Sequence, residues 1–220
     1  MPSVIPQPAG DDTRSRILEV ATKVFAERGM EAVSMRELTA LAGVNVAAVN
    51  YHFGSKDGLA EAVFEELAPR LNGARLAELA EVLRRAEAAG RRPDLADIVR
   101  TFIRPYMAER LADGGVLLAQ LLLKHRMAPT PMTHRIITRH FDKLALSYIH
   151  AFSLACPDVD RDEFCWRYMF MAGAAILSAT DRNKVNRVST LSEGRIDGAD
   201  PHAAMEALTR FLVGALGLPS

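Results

Sequence analysis

Cysteine occurs twice and tryptophan once in 220 residues, and that scarcity excludes several kinds of protein. Cys156 and Cys165 make no disulfide framework, no C-x-x-C and no Cys/His metal pattern. They are read as packed thiols of a reducing compartment, the cytoplasm. His125, His134 and His140 do not recur at one metal-site spacing, so no metal is expected; no other cofactor is expected either. Long apolar runs are missing, and none approaches the roughly 20 residues that a membrane span needs, so no membrane partner is expected. The start, MPSVIPQPAGDD, lacks the basic and apolar regions of a secretory signal. Its three prolines make 1–10 an expected disordered arm. Excess charge of either sign is absent as well, since 27 basic residues balance 27 acidic ones. G-x-S-x-G and glycine-rich phosphate loops do not occur, and the chain is not expected to be an enzyme.

What is present reads as all helix. No segment alternates with period two in Val, Ile and Thr. The first helix spans about Thr13 to Arg28, with Ile17, Leu18, Ala21, Val24 and Phe25 at helical spacing, Asp12 as cap and Gly29 as stop. Beyond residue 59, apolar stripes continue through Leu71, Leu76, Leu79, Val82 and Leu83, then through Leu95, Ile98, Val99, Phe102, Ile103 and Tyr106. Pro69 is expected to kink or split the first of these. VLLAQLLLKHR is apolar nearly all round, as a buried helix would be. Thr130-Pro131 and Asp200-Pro201 each read as a cap followed by proline at the first helical position. Residues 181–200 read as a long loop. The total is about nine or ten helices.

The stretch from Ser34 to Leu59 carries most of the functional information. Ser34 and Glu37 form an S-x-x-E capping box for one short helix. Ala42-Gly43-Val44 makes a tight turn, and Asn45 caps a second helix through about Tyr51. Two short helices joined this way form a helix-turn-helix. A recognition helix needs low bulk at its first turn to approach base edges. Val46, Ala47 and Ala48 supply that, and their apolar groups suit thymine methyls. Asn45 and Asn50 can hydrogen-bond bases or phosphate. Tyr51, His52 and Lys56 are placed to donate to phosphate oxygens, and Arg36 to reach a flanking phosphate or a guanine edge. Between 11 and 56, six basic residues (Arg14, Arg16, Lys23, Arg28, Arg36, Lys56) balance six acidic ones (Asp11, Asp12, Glu19, Glu27, Glu31, Glu37). Affinity then depends on where the positive groups and helix N-termini sit, and non-specific binding is expected to be weak.

This segment resembles the TetR family of transcriptional regulators. Thr13, Ile17-Leu18, Ala21, Phe25, Gly29, Ser34, Ala42-Gly43-Val44, His52-Phe53, Ser55-Lys56-Asp57 and Leu59 match its N-terminal pattern at its spacing. Two positions depart: Ala47 stands where glycine is common, and Asn50 where a phosphate-binding tyrosine is usual, a contact that Tyr51 can take over. VNYHFGSK and, more loosely, FCWRYMFMAGAAILSA are similar to the fatty-acid-responsive branch. The resemblance implies an all-α fold with a helix-turn-helix DNA-binding domain (11–59) and a larger helical ligand-binding and dimerisation domain (60–220). It further implies a homodimeric repressor, released from a palindromic double-stranded DNA operator by a small apolar effector such as a fatty acid or acyl-CoA. An activator of the same family is an alternative. A helical lipid carrier with a vestigial helix-turn-helix is another, favoured only by the balanced charge.

Within 60–220, Phe102, Tyr106, Leu121, Leu122, Phe141, Tyr148, Phe152, Trp166, Met169 and Phe170 are pocket candidates. The small-residue run Ala172-Gly173-Ala174-Ala175 and the apolar face of the last helix are the expected dimer contact. Lys124, His125, Arg126, His134, Arg135, Arg139, His140 and Lys143 surround one acid, Asp142. The cluster reads first as a solvated face, with Lys124-His125-Arg126 complementing a helix C-terminus. Its second reading is an anchor for a carboxylate or phosphate head.

Overall fold

Ten α-helices and one 3₁₀ turn, with no strand, make up the described residues of this computed structural model: 9–28, 30–107, 114–184 and 186–218. In chain order they are α1 (Ala9–Arg28), α2 (Met35–Leu41), α3 (Val46–Phe53), α4 (Lys56–Ala88), α5 (Leu95–Ile103), the 3₁₀ turn (Arg104–Met107), α6 (Gly115–Met127), α7 (Pro131–Ala155), α8 (Glu163–Lys184), α9 (Arg187–Leu191) and α10 (Pro201–Gly217).

Side-chain caps set most of the starts. Thr130 accepts from the Thr133 amide at 3.1 Å, and Thr133 returns a bond from the Thr130 amide at 2.9 Å, with Pro131 opening α7. Asp94 accepts from the Asp97 amide at 3.0 Å, and Asp200 from the His202 amide at 2.9 Å. Each bond satisfies an amide that the helix cannot satisfy itself, worth about 1 kcal/mol.

Three elements differ from the expectation. α1 begins at Ala9, so Asp12 lies inside the helix and does not cap it. The expected stop at Gly29 and most of the expected arm (1–8) lie outside the described residues. α4 runs unbroken through Pro69. The proline is exposed, while Leu67, Ala68 and Leu71 beside it are buried, so packing of the flanking turns holds the helix across the missing amide. The expected loop over 181–200 holds the end of α8 and the short α9.

The chain divides into two compact units between Leu67 and Ala68, inside α4. In the first, Ile17, Ala21 and Phe25 of α1, Leu38 of α2, Val49 of α3 and Leu59, Val63 and Phe64 of α4 are buried together. In the second, α5 packs on α10 and α7, and α8 packs on α6, α7 and α10. Its buried aromatics are Phe102, Tyr106, Tyr148, Phe152, Phe164 and Tyr168. Each fully buried side chain of this size contributes roughly 1.5–3 kcal/mol of transfer free energy.

Candidate nucleic-acid interface and ligand cavity

The helix-turn-helix is built by short-range hydrogen bonds. The Ser34 hydroxyl accepts from the Glu37 amide at 3.2 Å and starts α2. The Glu37 carboxylate does not close the expected box; it pairs with Arg28 at the end of α1. Gly43 turns the chain with φ +62°, a conformation that glycine adopts without strain. The Val44 amide then donates back to the Thr39 carbonyl at 3.0 Å. Asn45 caps α3, its Oδ1 accepting from the Ala48 amide at 2.8 Å. Ser55 accepts from the Gly58 amide at 3.0 Å at the start of α4. A Cβ at Gly58 would collide with the Phe53 carbonyl oxygen, so glycine is what lets α4 begin this close to the end of α3.

These bonds orient α3 with one face in and one face out. Val49 is completely buried. Val46, Ala47, Asn50 and Tyr51 are exposed on the opposite side, and Tyr51 is 85% exposed. Asn45 and Arg36 are exposed too, whereas Ala48, His52 and Lys56 are half-buried. The Tyr51 and His52 rings meet edge to face, centroids 5.0 Å apart. The Arg14 guanidinium lies 5.4 Å from the Phe53 ring centre and ties α1 to the end of α3.

In the second unit a cavity of about 200 Å³ opens among α5, the 3₁₀ turn, α6, α7 and α8. It brings together five of the pocket candidates: Phe102, Tyr106, Leu122, Phe141 and Met169. Leu121, Tyr148 and Phe152 are buried but do not line it. Trp166 and Phe170 lie on the outer face of α8. The periodicity did not single out Tyr168, which is buried and lines the cavity. His125, Arg126 and Asp142, from the mixed-charge segment, supply polar lining. His125 bonds to the Thr133 hydroxyl at 2.7 Å. Burial, helped by His134 and Arg126, holds its imidazole below the ordinary histidine value. Burial pushes the Tyr148 phenol up to about 12, although its bond to Thr101 at 2.8 Å works the other way. Tyr168 is pushed up by burial as well. Both phenols therefore stay neutral at physiological pH.

Residues 17–63 match the model described as bacterial regulatory proteins, tetR family. Residues 100–215, more than half of the chain, match the one described as tetracyclin repressor-like, C-terminal domain. An HTH-type transcriptional repressor of Mycobacterium tuberculosis is 43% identical over 61 residues, covering 28% of this chain and 32% of that one. The HTH-type transcriptional dual regulator CecR of Shigella flexneri is 32% identical over 130 residues, covering 58% of this chain and 57% of CecR. The matches thus span about a third of the mycobacterial relatives and just over half of CecR. In fold, the fatty acid degradation regulator FadR from Bacillus halodurans superposes with a TM-score of 0.61 at 14% identity, over 95% of this chain and 96% of that one. An all-helical chain with a capped helix-turn-helix at one end and matches to the family in both halves belongs to the TetR family of transcriptional regulators.

Proposed function

We propose that this regulator is a repressor that binds a palindromic operator as a homodimer and leaves it when a small apolar effector enters the C-terminal domain. The outward face of α3 carries the reading: a first turn of low bulk with polar groups one turn on, held rigid over the buried Val49. In this reading Val46, Ala47 and Ala48 meet base edges, and Asn50 hydrogen-bonds one of them. Asn45 spends its oxygen on the cap and has its amide nitrogen left for the DNA. Tyr51, His52, Lys56 and Arg36 hold phosphates and set the register. Residues 11–59 form the DNA-binding domain and 60–220 the effector and dimerisation domain, acting in the cytoplasm.

Two such helices must reach half-sites about 34–36 Å apart, which a monomer cannot do. The outer face of α8, with Trp166, Phe170, Gly173 and Leu177 exposed, and Phe211 on α10 offer the apolar surface for pairing. Effector and operator then oppose each other through one coupling free energy, each weakening the other equally. The mycobacterial relative is named a repressor, which supports the sign of regulation. CecR is named a dual regulator, which favours a second reading, activation at some promoters. The fold shared with FadR is compatible with a fatty acid or acyl-CoA as effector.

The test is an electrophoretic shift of DNA from upstream of the protein's own gene, titrated with salt. A sequence-preferring shift that weakens steeply with salt is expected. No shift at low salt, or equal binding to scrambled DNA, rejects the reading.

A further inference from the structure

One arginine lies inside the apolar core of the C-terminal unit. Arg75 on α4 is 1% exposed, the largest of the fully buried side chains. Its register explains the burial. Ala68, Leu71, Arg75, Leu79 and Val82 recur at steps of three and four along one stripe of α4, and all are buried.

The guanidinium is poorly served there. Nη1 donates to Asn72 Oδ1 at 2.9 Å, and Asn72 donates its own amide to the His140 carbonyl at 2.9 Å. Nε and Nη2 have no hydrogen-bond partner. No ion pair reaches Arg75 among the described residues. Its carbon sits 4.3 Å from the Tyr106 ring centre and 5.1 Å from that of Phe102. Those rings stabilise the charge but leave the three N–H bonds of Nε and Nη2 without acceptors. A buried cation without a counter-charge is among the costliest features a fold can carry.

Two observations turn that cost toward a ligand. Phe102 and Tyr106, the rings on which the guanidinium rests, are also walls of the 200 Å³ cavity. Nε and Nη2 together form one edge of the guanidinium, the edge that a carboxylate takes with two parallel bonds. We propose that the cavity binds a compact organic monocarboxylate whose head group pairs with the Nε–Nη2 edge of Arg75, its apolar body lying among Phe102, Tyr106, Leu122 and Tyr168. This rests on the effector-binding reading and narrows it. An apolar cavity of about 150 Å³ holds a benzene ring. The present one has room for a ring or short chain with a carboxyl group, and too little for a long acyl chain. Arg126 also lines the cavity but is exposed, so pairing with it would cost a desolvation that Arg75 has already undergone. Arg75 does not itself line the cavity, so the Tyr106 ring, a wall of the cavity 4.3 Å from the guanidinium, must turn aside as the head group binds.

The test is calorimetric titration of the full-length protein with benzoate, phenylacetate, octanoate and palmitate, and with the first three as their amides. At least one compact acid is expected to bind, one per chain, tenfold or more tighter than its amide. Arg75→Met is expected to abolish that preference and to raise the Tm of the unliganded protein. Arg75→Lys keeps the charge without the fork; it is expected to lose most of the preference, and it serves if the methionine variant does not fold. Four outcomes overturn the proposal: equal affinity for acid and amide, an acid preference that survives both variants, no binding by any compact acid, or palmitate binding that Arg75→Met leaves unchanged. The ligand-free operator shift is measured separately. Its absence rejects the regulator reading and leaves the acid-to-amide ratio to decide the cavity on its own.

Discussion

Trp166 stacks on Phe170 across one turn of α8, ring centroids 6.2 Å apart and planes 26° from parallel, and both rings face outward, 65% and 67% exposed. Single exposed apolar residues are ordinary, but two stacked aromatics in line with the exposed Leu177 form an apolar stripe on α8 that a partner would cover. Replacing both rings, Trp166→Ser with Phe170→Ser, should turn a dimer into a monomer in sedimentation at micromolar concentration. Each aromatic of such a patch is worth roughly 2 kcal/mol of association, about thirty-fold in dissociation constant. A core tryptophan would cost about 3–5 kcal/mol of folding stability when truncated. These rings are exposed in the single chain, so the melting temperature extrapolated to the monomer should move little. A variant that remains a dimer places the interface elsewhere.

Lys56 opens α4, where the helix N-terminus and the ammonium can act on the same phosphate. Lys56→Ala should weaken DNA binding by a similar factor on every sequence. It should also reduce the slope of log K against log salt by about one unit, the signature of one lost phosphate contact. An unchanged slope would remove Lys56 from the interface.

Asn50 and Tyr51 are neighbours on the exposed face of α3 with different expected roles. Asn50→Ala should relax preference at one base pair in each half-site by about 1–3 kcal/mol, with little change elsewhere. Tyr51→Phe removes only the hydroxyl and should weaken all sequences alike. A selection experiment on randomised half-sites distinguishes the two. If Asn50→Ala lowers affinity uniformly, the residue positions the helix and reads no base.

How far the sequence could be read follows from the range of the forces involved. Ser34, Asn45, Thr130 and Asp200 cap their helices because a cap is decided within three residues. Val49 was not singled out in the sequence; the structure makes it the inward residue of α3. Long-range packing was not legible in the same way. Trp166 and Phe170 stand at helical spacing on one side of α8 and Tyr168 and Met171 at helical spacing on another, and only the packing of α8 on α6, α7 and α10 decides which pair faces outward. Pro69 breaks a local rule, yet α4 continues because the flanking turns are buried. Arg75 did leave a trace: it stands in register with Leu71 and Leu79, where a charged residue would ordinarily be rotated to solvent.

His125 supplies a pH-dependent term with a definite sign. Burial and the neighbouring His134 and Arg126 hold its folded pKa below the ordinary value of 6.5. In the window between that lowered value and 6.5, the unfolded chain binds more protons than the folded one, so stability falls as pH falls. Below the folded pKa both states are protonated and the slope from this residue vanishes; above 6.5 both are neutral and it vanishes again. Urea melts of the wild type across the mildly acidic range should therefore show a loss of stability toward acid that is shallower in His125→Gln. The glutamine cannot titrate and can still bond to the Thr133 hydroxyl, which separates the proton from the hydrogen bond. Identical acid slopes in the two proteins would place the titration on other groups and leave His125 a neutral wall of the cavity.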